Sequence, residues 1–211
     1  MTAPDLLALH GVRVLGHATS RAVADLYGLD DGTVEEHLLD AEARGLVRRA
    51  DYLPGSSWSM TDLGRRHEEE LLAAELDTLG ARAEITSLHR DFLPFNARLG
   101  ALMTRWQLRP TSDDALAFND HTDLRYDGRI LRELTHLADG LSEVTHGLES
   151  VLARFGAHQP RIATALERAL HGERQWVDAP EVASMNIVWI QFHEDLLATL
   201  GLRRGHEAAH S

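Results

Sequence analysis

The segment from residue 19 to residue 61 restricts the fold more than any other part of the sequence, because short apolar runs alternate there with residues that start or stop helices. Ala22, Val23 and Leu26 stand at helical spacing, and Val34, Leu38 and Leu39 do so again further along. Gly28 lies between them, where it can end the first helix and open a tight turn. The candidate N-caps are Thr19 or Ser20 for the first helix and Asp30 or Asp31 for the second. The pattern predicts two short helices joined by a turn.

The residues that follow these two helices predict a β-hairpin. Gly45 stops the second helix, and the stretch GLVRRADYLPGSSWSMTDLG then reads as strand, turn and strand. The turn falls on residues 54–57, and Trp58 and Met60 alternate on the returning strand. Thr61 is placed to cap a further helix. A first helix at about 5–17 completes a helix-turn-helix followed by a hairpin, or wing.

Residues 5–75 resemble the winged-helix domain of MarR-type bacterial transcriptional regulators. The matching stretches are TSRAVADLYGLDDGTVEEHLLDAEARGLVRR and WSMTDLGRRHEEEL. In that family Thr-Val near the start of the recognition helix is followed by LxxLExxGLVxR, the wing and xLTxxG. Here Thr33-Val34, LLDAEARGLVRR and SMTDLG stand in the same order. The resemblance implies a winged helix-turn-helix domain at 1–76 that binds double-stranded operator DNA.

By the same resemblance, the exposed face of the recognition helix lies within residues 31–37. Two glutamates on that face, Glu35 and Glu36, are unfavourable beside phosphates unless they find a donor such as a cytosine amine. Arginines near the helix and the wing are candidate phosphate contacts. The predicted DNA-binding residues are Arg21, Thr33, Glu36, His37, Arg44, Arg48, Arg49, Ser56 and Ser57. The acidic face also leaves open an interaction module that docks a protein partner and binds no DNA.

Composition limits the kinds of partner. The formal net charge of −12 argues against a protein that coats nucleic acid by bulk electrostatics. All 21 basic residues are arginines, and each can bind a phosphate through two hydrogen bonds. The sequence has no cysteine, so neither a disulfide framework nor a thiolate site is expected. No apolar run is long enough to cross a bilayer and no secretory signal is recognised, so we expect a cytoplasmic protein that contacts no membrane.

The remainder of the chain predicts helices. A helix linking it to the winged domain is expected at about 62–93, with Pro94 as its end. Four further helices are expected at about 96–108, 121–155, 161–171 and 181–200. Their lengths and short loops are typical of an antiparallel bundle. The expected fold is therefore mainly α, with a helical domain at 77–211 for effector sensing or dimerisation.

Polar and aromatic residues in this helical part could line a ligand cavity. Arginine can bind a carboxylate through two hydrogen bonds, and tryptophan and histidine suit an organic body. A small organic effector, such as an organic acid, is the ligand that this composition favours. The candidate residues are Arg98, Arg105, Trp106, His121, Tyr126, Arg129, Trp189 and His193.

No cofactor, catalytic residue or metal site is predicted. Candidate metal ligands among the 13 histidines would have to come from different helices. Neither the P-loop pattern nor the dinucleotide-binding glycine pattern is found. Besides a DNA-binding regulator and a protein-binding module, the sequence leaves open a third function, an enzyme in the helical part. The sequence as a whole favours a homodimeric transcriptional regulator whose DNA binding is controlled by an effector.

Overall fold

The computed structural model describes residues 2–50 and 57–203. It is mainly α-helical, as the sequence predicts, and includes a three-stranded antiparallel sheet. The elements are α1 (Pro4–Leu15), β1 (His17–Ala18), α2 (Ser20–Tyr27), α3 (Asp31–Ala43), β2 (Val47–Ala50), β3 (Ser57–Met60), α4 (Asp62–Leu79), α5 (Arg82–Gln107), α6 (Leu124–Val151), a 3-10 helix (Ala153–Ala157), α7 (His158–Leu170), α8 (Gln175–Asp178) and α9 (Met185–Leu200).

The sheet has the order β1-β3-β2, and β3 is its central strand. Val47 pairs with Met60 and Ala50 pairs with Ser57, so β2 and β3 are in register along their full length. The two-residue strand β1 pairs with β3 on the other side. The sequence pattern does not predict β1, because two residues are too few to show an alternation. Trp58 at the centre of the sheet is fully buried in the core made by α1, α2 and α3.

The start of α4 packs directly against the backbone that precedes β2. The hydroxyl of Thr61 accepts a hydrogen bond from the backbone N–H of Gly64 at 3.0 Å and thereby caps the helix. The same hydroxyl donates to the carbonyl oxygen of Leu46, at 3.0 Å. A methyl group at Gly64 would collide with that carbonyl group. Only glycine allows this close approach.

The linking helix differs from the sequence prediction at two places. The predicted single helix at about 62–93 ends at Leu79, where Gly80 adopts the left-handed conformation that terminates helices (φ 63°). The second helix, α5, then runs through Pro94 instead of ending there. Proline removes one hydrogen bond from a helix. Apolar side chains buried on both sides of it, Phe92 and Leu99 among them, favour a continuous helix.

The chain forms two compact units. Unit 1 contains residues 2–86, 149–157 and 191–203 of the described chain, and unit 2 contains residues 87–148 and 158–190. This division is based on packing alone. It does not test the predicted boundary between a DNA-binding domain at 1–76 and a helical domain at 77–211, which stays a prediction. Unit 2 buries apolar side chains from α5, α6, α7 and α9, including Leu102, Leu134, Leu166, Val188 and Trp189.

Unit 1 contains a network of buried charges. His10 in α1 is fully buried between two carboxylates: its Nδ1 lies 2.6 Å from Glu68 Oε1 and its Nε2 lies 2.9 Å from Asp195 Oδ1. Arg13, one turn further along α1, donates to the other oxygen of Glu68 at 2.6 Å. The Nε group of Arg154 donates to Asp195 at 3.4 Å. The network joins α1, α4, the 3-10 helix and α9.

The geometry of His10 favours its protonated form. A neutral imidazole has only one N–H, whereas both ring nitrogens of His10 face a carboxylate oxygen. Burial lowers the pKa of His10, but the charge of Asp195 and the hydrogen bonds to Asp195 and Glu68 raise that pKa above its ordinary value. Tyr27 of α2 lies over the imidazole, with ring centroids 6.4 Å apart. The buried pair of carboxylates is therefore matched by imidazolium and guanidinium groups.

This arrangement makes stability depend on pH in a defined direction. Because the folded-state pKa of His10 is raised, its contribution is fully present below the unfolded pKa, about 6.5. The contribution is lost as pH rises through the higher folded-state pKa. The free energy of unfolding, measured by urea titration from pH 6 to pH 9, is expected to fall with pH. A His10→Asn variant should show a shallower fall over the same range, and equal slopes would contradict the assignment.

Candidate nucleic-acid interface

The helices α2 and α3 are positioned by the capping residues that the sequence suggests. Thr19 caps α2 by accepting a hydrogen bond from the backbone N–H of Ala22 at 3.1 Å. Gly28 ends that helix in the left-handed conformation, with φ 66°. Asp30 caps α3 by accepting from the backbone N–H of Thr33 at 2.9 Å, and this hydrogen bond is the main reason why the pKa of Asp30 lies below its ordinary value. The turn and both helix starts are thus confirmed.

One face of α3 is buried and the other is exposed. The buried face carries Val34, Leu38 and Ala41, which pack in the core of unit 1. Thr33 and Glu36 are exposed on the opposite side. His37 is half-buried beside the cleft between α1, α3 and α4. The exposed face can therefore offer a hydroxyl and a carboxylate to a partner.

Glu35 is bound within the protein. The hydroxyl of Ser20 donates a hydrogen bond to its carboxylate. The guanidinium of Arg49 lies 3.7 Å from the same group and 5.6 Å from the centre of the Trp58 ring. Ser20 in turn accepts a hydrogen bond from the indole N–H of Trp58 at 3.3 Å. The negative charge of Glu35 is thus compensated by Arg49, and Glu35 links α3 to α2 and to the sheet.

The predicted phosphate contacts lie at the surface of unit 1. Arg21 is 71% exposed and pairs with Asp25 at 3.0 Å, one helical turn away. Arg44 lies 2.9 Å from His67, and Arg48 is exposed on β2. An exposed ion pair is worth only about 0.2–1 kcal/mol, so a phosphate can displace Asp25 at small cost.

One residue predicted at the tip of the wing, Ser57, lies in a strand instead of in the turn. Ser57 begins β3 and is only 6% exposed, which departs from the exposed turn position expected for it. It pairs with Ala50 of β2 across the sheet, and this pairing draws it out of the turn. Ser56 lies outside the described residues.

Five of the predicted effector-binding residues lie in one region of unit 2. The rings of Trp106 and His121 are 4.4 Å apart. The hydroxyl of Tyr126 donates to the backbone carbonyl of Arg105 at 3.0 Å, and Arg129 lies 5.6 Å from the Tyr126 ring. Their grouping follows from the connection of residues 108–123, which folds back on the end of α5, where Asn119 donates to the backbone carbonyl of Trp106 at 3.0 Å.

The charges in this region are largely bound by neighbours. Arg105 donates to both carboxylate oxygens of Glu133 at 2.9 Å, and these hydrogen bonds hold the pKa of Glu133 below its ordinary value. His121 lies 3.0 Å from Asp127, which also accepts from the side chain of Asn119 at 2.9 Å. A ligand carboxylate would have to replace Glu133 to reach Arg105.

The other three predicted effector residues lie elsewhere. Trp189 packs against Phe92, with ring centroids 5.6 Å apart, and its indole N–H donates to Asn96 at 3.1 Å. Arg98 is exposed on α5, and His193 is buried in unit 1. The eight residues therefore do not form a single group.

Sequence reasoning missed the internal role of Glu35 and the charge network around His10. A signal for the network was present, because His10 and Arg13 interrupt the apolar residues of the first helix. Within residues 2–50 and 57–203, no three His, Cys, Asp or Glu side chains are grouped so as to hold a metal ion. In the same part of the chain, no helix combines the length and the apolar character needed to cross a membrane.

Comparison of the chain with protein-family models, with curated proteins and with solved structures found no match.

Proposed function

We propose that the chain is a DNA-binding transcriptional regulator built on a winged helix-turn-helix of the MarR-like type. The observation that carries the proposal is the joint arrangement of α2, Gly28 and α3 beside the β2–β3 pair. Such helix pairs place the second helix in the major groove, and the hairpin then meets the neighbouring backbone. In this role α3 is the recognition helix, with Thr33 and Glu36 exposed toward the bases.

The internal binding of Glu35 supports the proposal. An uncompensated carboxylate near phosphates would oppose binding, but Arg49 lies 3.7 Å from Glu35. Of the two glutamates among residues 33–37, Glu36 is the exposed one, and it can accept a hydrogen bond from a cytosine amine. Arg21, Arg44 and Arg48 supply local positive charge on a chain whose total charge is −12. We therefore expect DNA binding to depend on contacts of individual arginines, with little contribution from the net charge of the protein.

The proposal includes a homodimer that contacts a palindromic site. Two recognition helices would then lie in successive major grooves, about 34–36 Å apart. A small organic effector bound in unit 2, near Trp106 and His121, would change DNA affinity only if it binds the two arrangements of the dimer unequally.

Substitution of Arg48 tests the proposed interface. Arg48→Ala is expected to weaken binding to a duplex from upstream of the chain's own gene, and to reduce the slope of log K against log salt by about 1, because one phosphate contact is lost. The measurement is fluorescence anisotropy at several salt concentrations. Arg132→Ala, which removes an exposed arginine from α6, is the matched control and should leave affinity and slope unchanged. An unchanged slope for Arg48→Ala would contradict the interface.

A second candidate is an interaction module that binds a protein partner through the same helix. It is favoured by the exposed acidic residues Asp31, Glu36 and Asp40 on α3. This candidate predicts no DNA affinity above non-specific background at low salt. It also predicts that Glu36→Gln weakens partner binding, whereas the DNA-binding proposal predicts that Glu36→Gln changes sequence preference.

A further inference from the structure

Unit 1 contains a cavity of about 500 Å³ beside the turn between α2 and α3. This volume is within the range of roughly 300–1,000 Å³ that is usual for small-molecule sites. The lining is mostly apolar and comes from the N-terminal segment, α1, the α2–α3 turn and the 3-10 helix. The lining includes Leu7, Leu26, Leu29, Arg154 and Ala157.

The charge in the wall of the cavity is already compensated. Arg154 is 5% exposed, and its Nη1 group donates to Glu75 at 2.6 Å and to the hydroxyl of Thr2 at 3.0 Å. Its other nitrogens donate to Asp195 at 3.4 Å and to Thr199 at 2.9 Å. Among the described residues that line the cavity, a carboxylate would find no unpaired cation to offset the hydration that it loses on entry. The wall therefore suits an uncharged ligand.

The cavity also touches the two features that organise unit 1. Leu26, Gly28 and Leu29 belong to the end of α2 and to the turn that sets the start of α3. Tyr27 lines the cavity as well and lies over the buried imidazole of His10. A molecule in the cavity would contact the α2–α3 turn on one side and the residues around the charge network on the other.

We infer that this cavity is a binding site for an uncharged, mainly apolar small molecule, such as an aromatic alcohol. The site is distinct from the effector residues grouped in unit 2. Its binding of a ligand stands independently of DNA, while its use as an effector site rests on the proposed DNA-binding function. In that use, the ligand changes DNA affinity by favouring one position of the α2–α3 turn.

A matched pair of ligands tests the site. ¹⁵N-labelled wild-type protein is titrated with 1-naphthalenemethanol and, separately, with 1-naphthoate, which has a similar ring system and a negative charge. The uncharged compound is expected to shift the backbone amide signals of residues 26–29 and 153–157 in a saturable manner. The charged compound should bind at least about tenfold more weakly, because its carboxylate is desolvated without a partner. Absence of saturable shifts, shifts confined to other residues, or equal affinity for the two compounds would overturn the inference.

Filling the cavity is the second arm of the test. Ala157→Phe places a ring in the cavity and should weaken binding of 1-naphthalenemethanol by about tenfold or more, since the ring takes the ligand's space. Ala74→Phe, at an exposed position of α4 outside the cavity, should bind as the wild type does. Should Ala157→Phe fail to fold, the wild-type titration decides the matter alone. Equal affinity in a folded Ala157→Phe variant would overturn the inference.

A measurement of DNA affinity distinguishes failure of this inference from failure of the proposed function. Saturating 1-naphthalenemethanol is expected to change the dissociation constant for the upstream duplex by about fivefold or more, a typical allosteric coupling. An unchanged constant would overturn the effector role while leaving DNA binding intact. If the ligand binds and the wild-type chain has no DNA affinity, the proposed function fails and the binding site remains.

Discussion

Replacement of His10 by leucine is expected to lower the free energy of unfolding by about 3–5 kcal/mol at pH 6, because it removes one partner from a buried, hydrogen-bonded ion network. Glu68 and Asp195 would each lose a charged donor at less than 3 Å. Arg13 and Arg154 would remain beside them, which favours the lower end of the range. Most domains are stable by only about 5–15 kcal/mol, so the variant should unfold at markedly lower urea concentrations.

His17→Leu is the matched control for this prediction. His17 is an exposed histidine in β1 of the same unit, and surface substitutions of this kind usually change stability by less than about 0.5 kcal/mol. Urea titration at pH 6, followed by circular dichroism, compares the two variants with the wild type. A loss below about 1 kcal/mol in His10→Leu would show that the network contributes little to folding.

Gly64→Ala is expected to destabilise the protein by about 3 kcal/mol, at the upper end of the usual range for overpacking. The added methyl group would meet the carbonyl group of Leu46, which is backbone and cannot rotate away. Relief would require α4 to move from the segment before β2, where Thr61 also holds it. The same variant should therefore weaken the contacts that fix the β2–β3 pair.

Gly100→Ala is expected to have the opposite effect on stability. Gly100 lies inside α5, and a methyl group there would meet no atom within 4 Å. Alanine in an open helical position is expected to stabilise by roughly 0.5–1 kcal/mol, because glycine loses more backbone freedom on folding. Thermal unfolding of both variants gives the comparison. Similar melting temperatures for Gly64→Ala and the wild type would show that α4 can shift freely.

Local signals of capping and termination were sufficient to predict most of the N-terminal elements. Thr19, Asp30 and Thr61 cap the helices that the sequence assigns to them. Gly28 ends α2 in the left-handed conformation. These signals are reliable because each depends on a few neighbouring residues and on little else.

Longer-range packing explains where sequence reasoning failed on the fold. Pro94 was expected to end a helix, yet the apolar side chains buried on both sides of it keep α5 continuous. The strand β1 exists only because β3 lies beside it, and no local pattern reveals such a pairing. The inclusion of residues 191–203 in unit 1 depends on contacts such as that of His10 with Asp195, which are 185 residues apart in the sequence.

The candidate site was predictable in outline but not in its charges. The family resemblance implies that Thr33 and Glu36 lie on the exposed face of α3, and both residues are exposed there. It could not show that Glu35, beside them, is bound by Ser20 and Arg49, because that depends on how α3 packs against α2 and the sheet. The cavity beside the α2–α3 turn was not predictable either, since its walls come from three separated parts of the chain.

The proposed binding of DNA by α3 can be tested with a single binding measurement. Wild-type protein is titrated with the duplex from upstream of its own gene and with a shuffled duplex of the same length and composition, at one fixed physiological salt concentration. We expect the upstream duplex to bind at least about 10³-fold more tightly, which is the lower end of the range for specific sites. Equal affinity for the two duplexes, or no measurable binding to either, would contradict it.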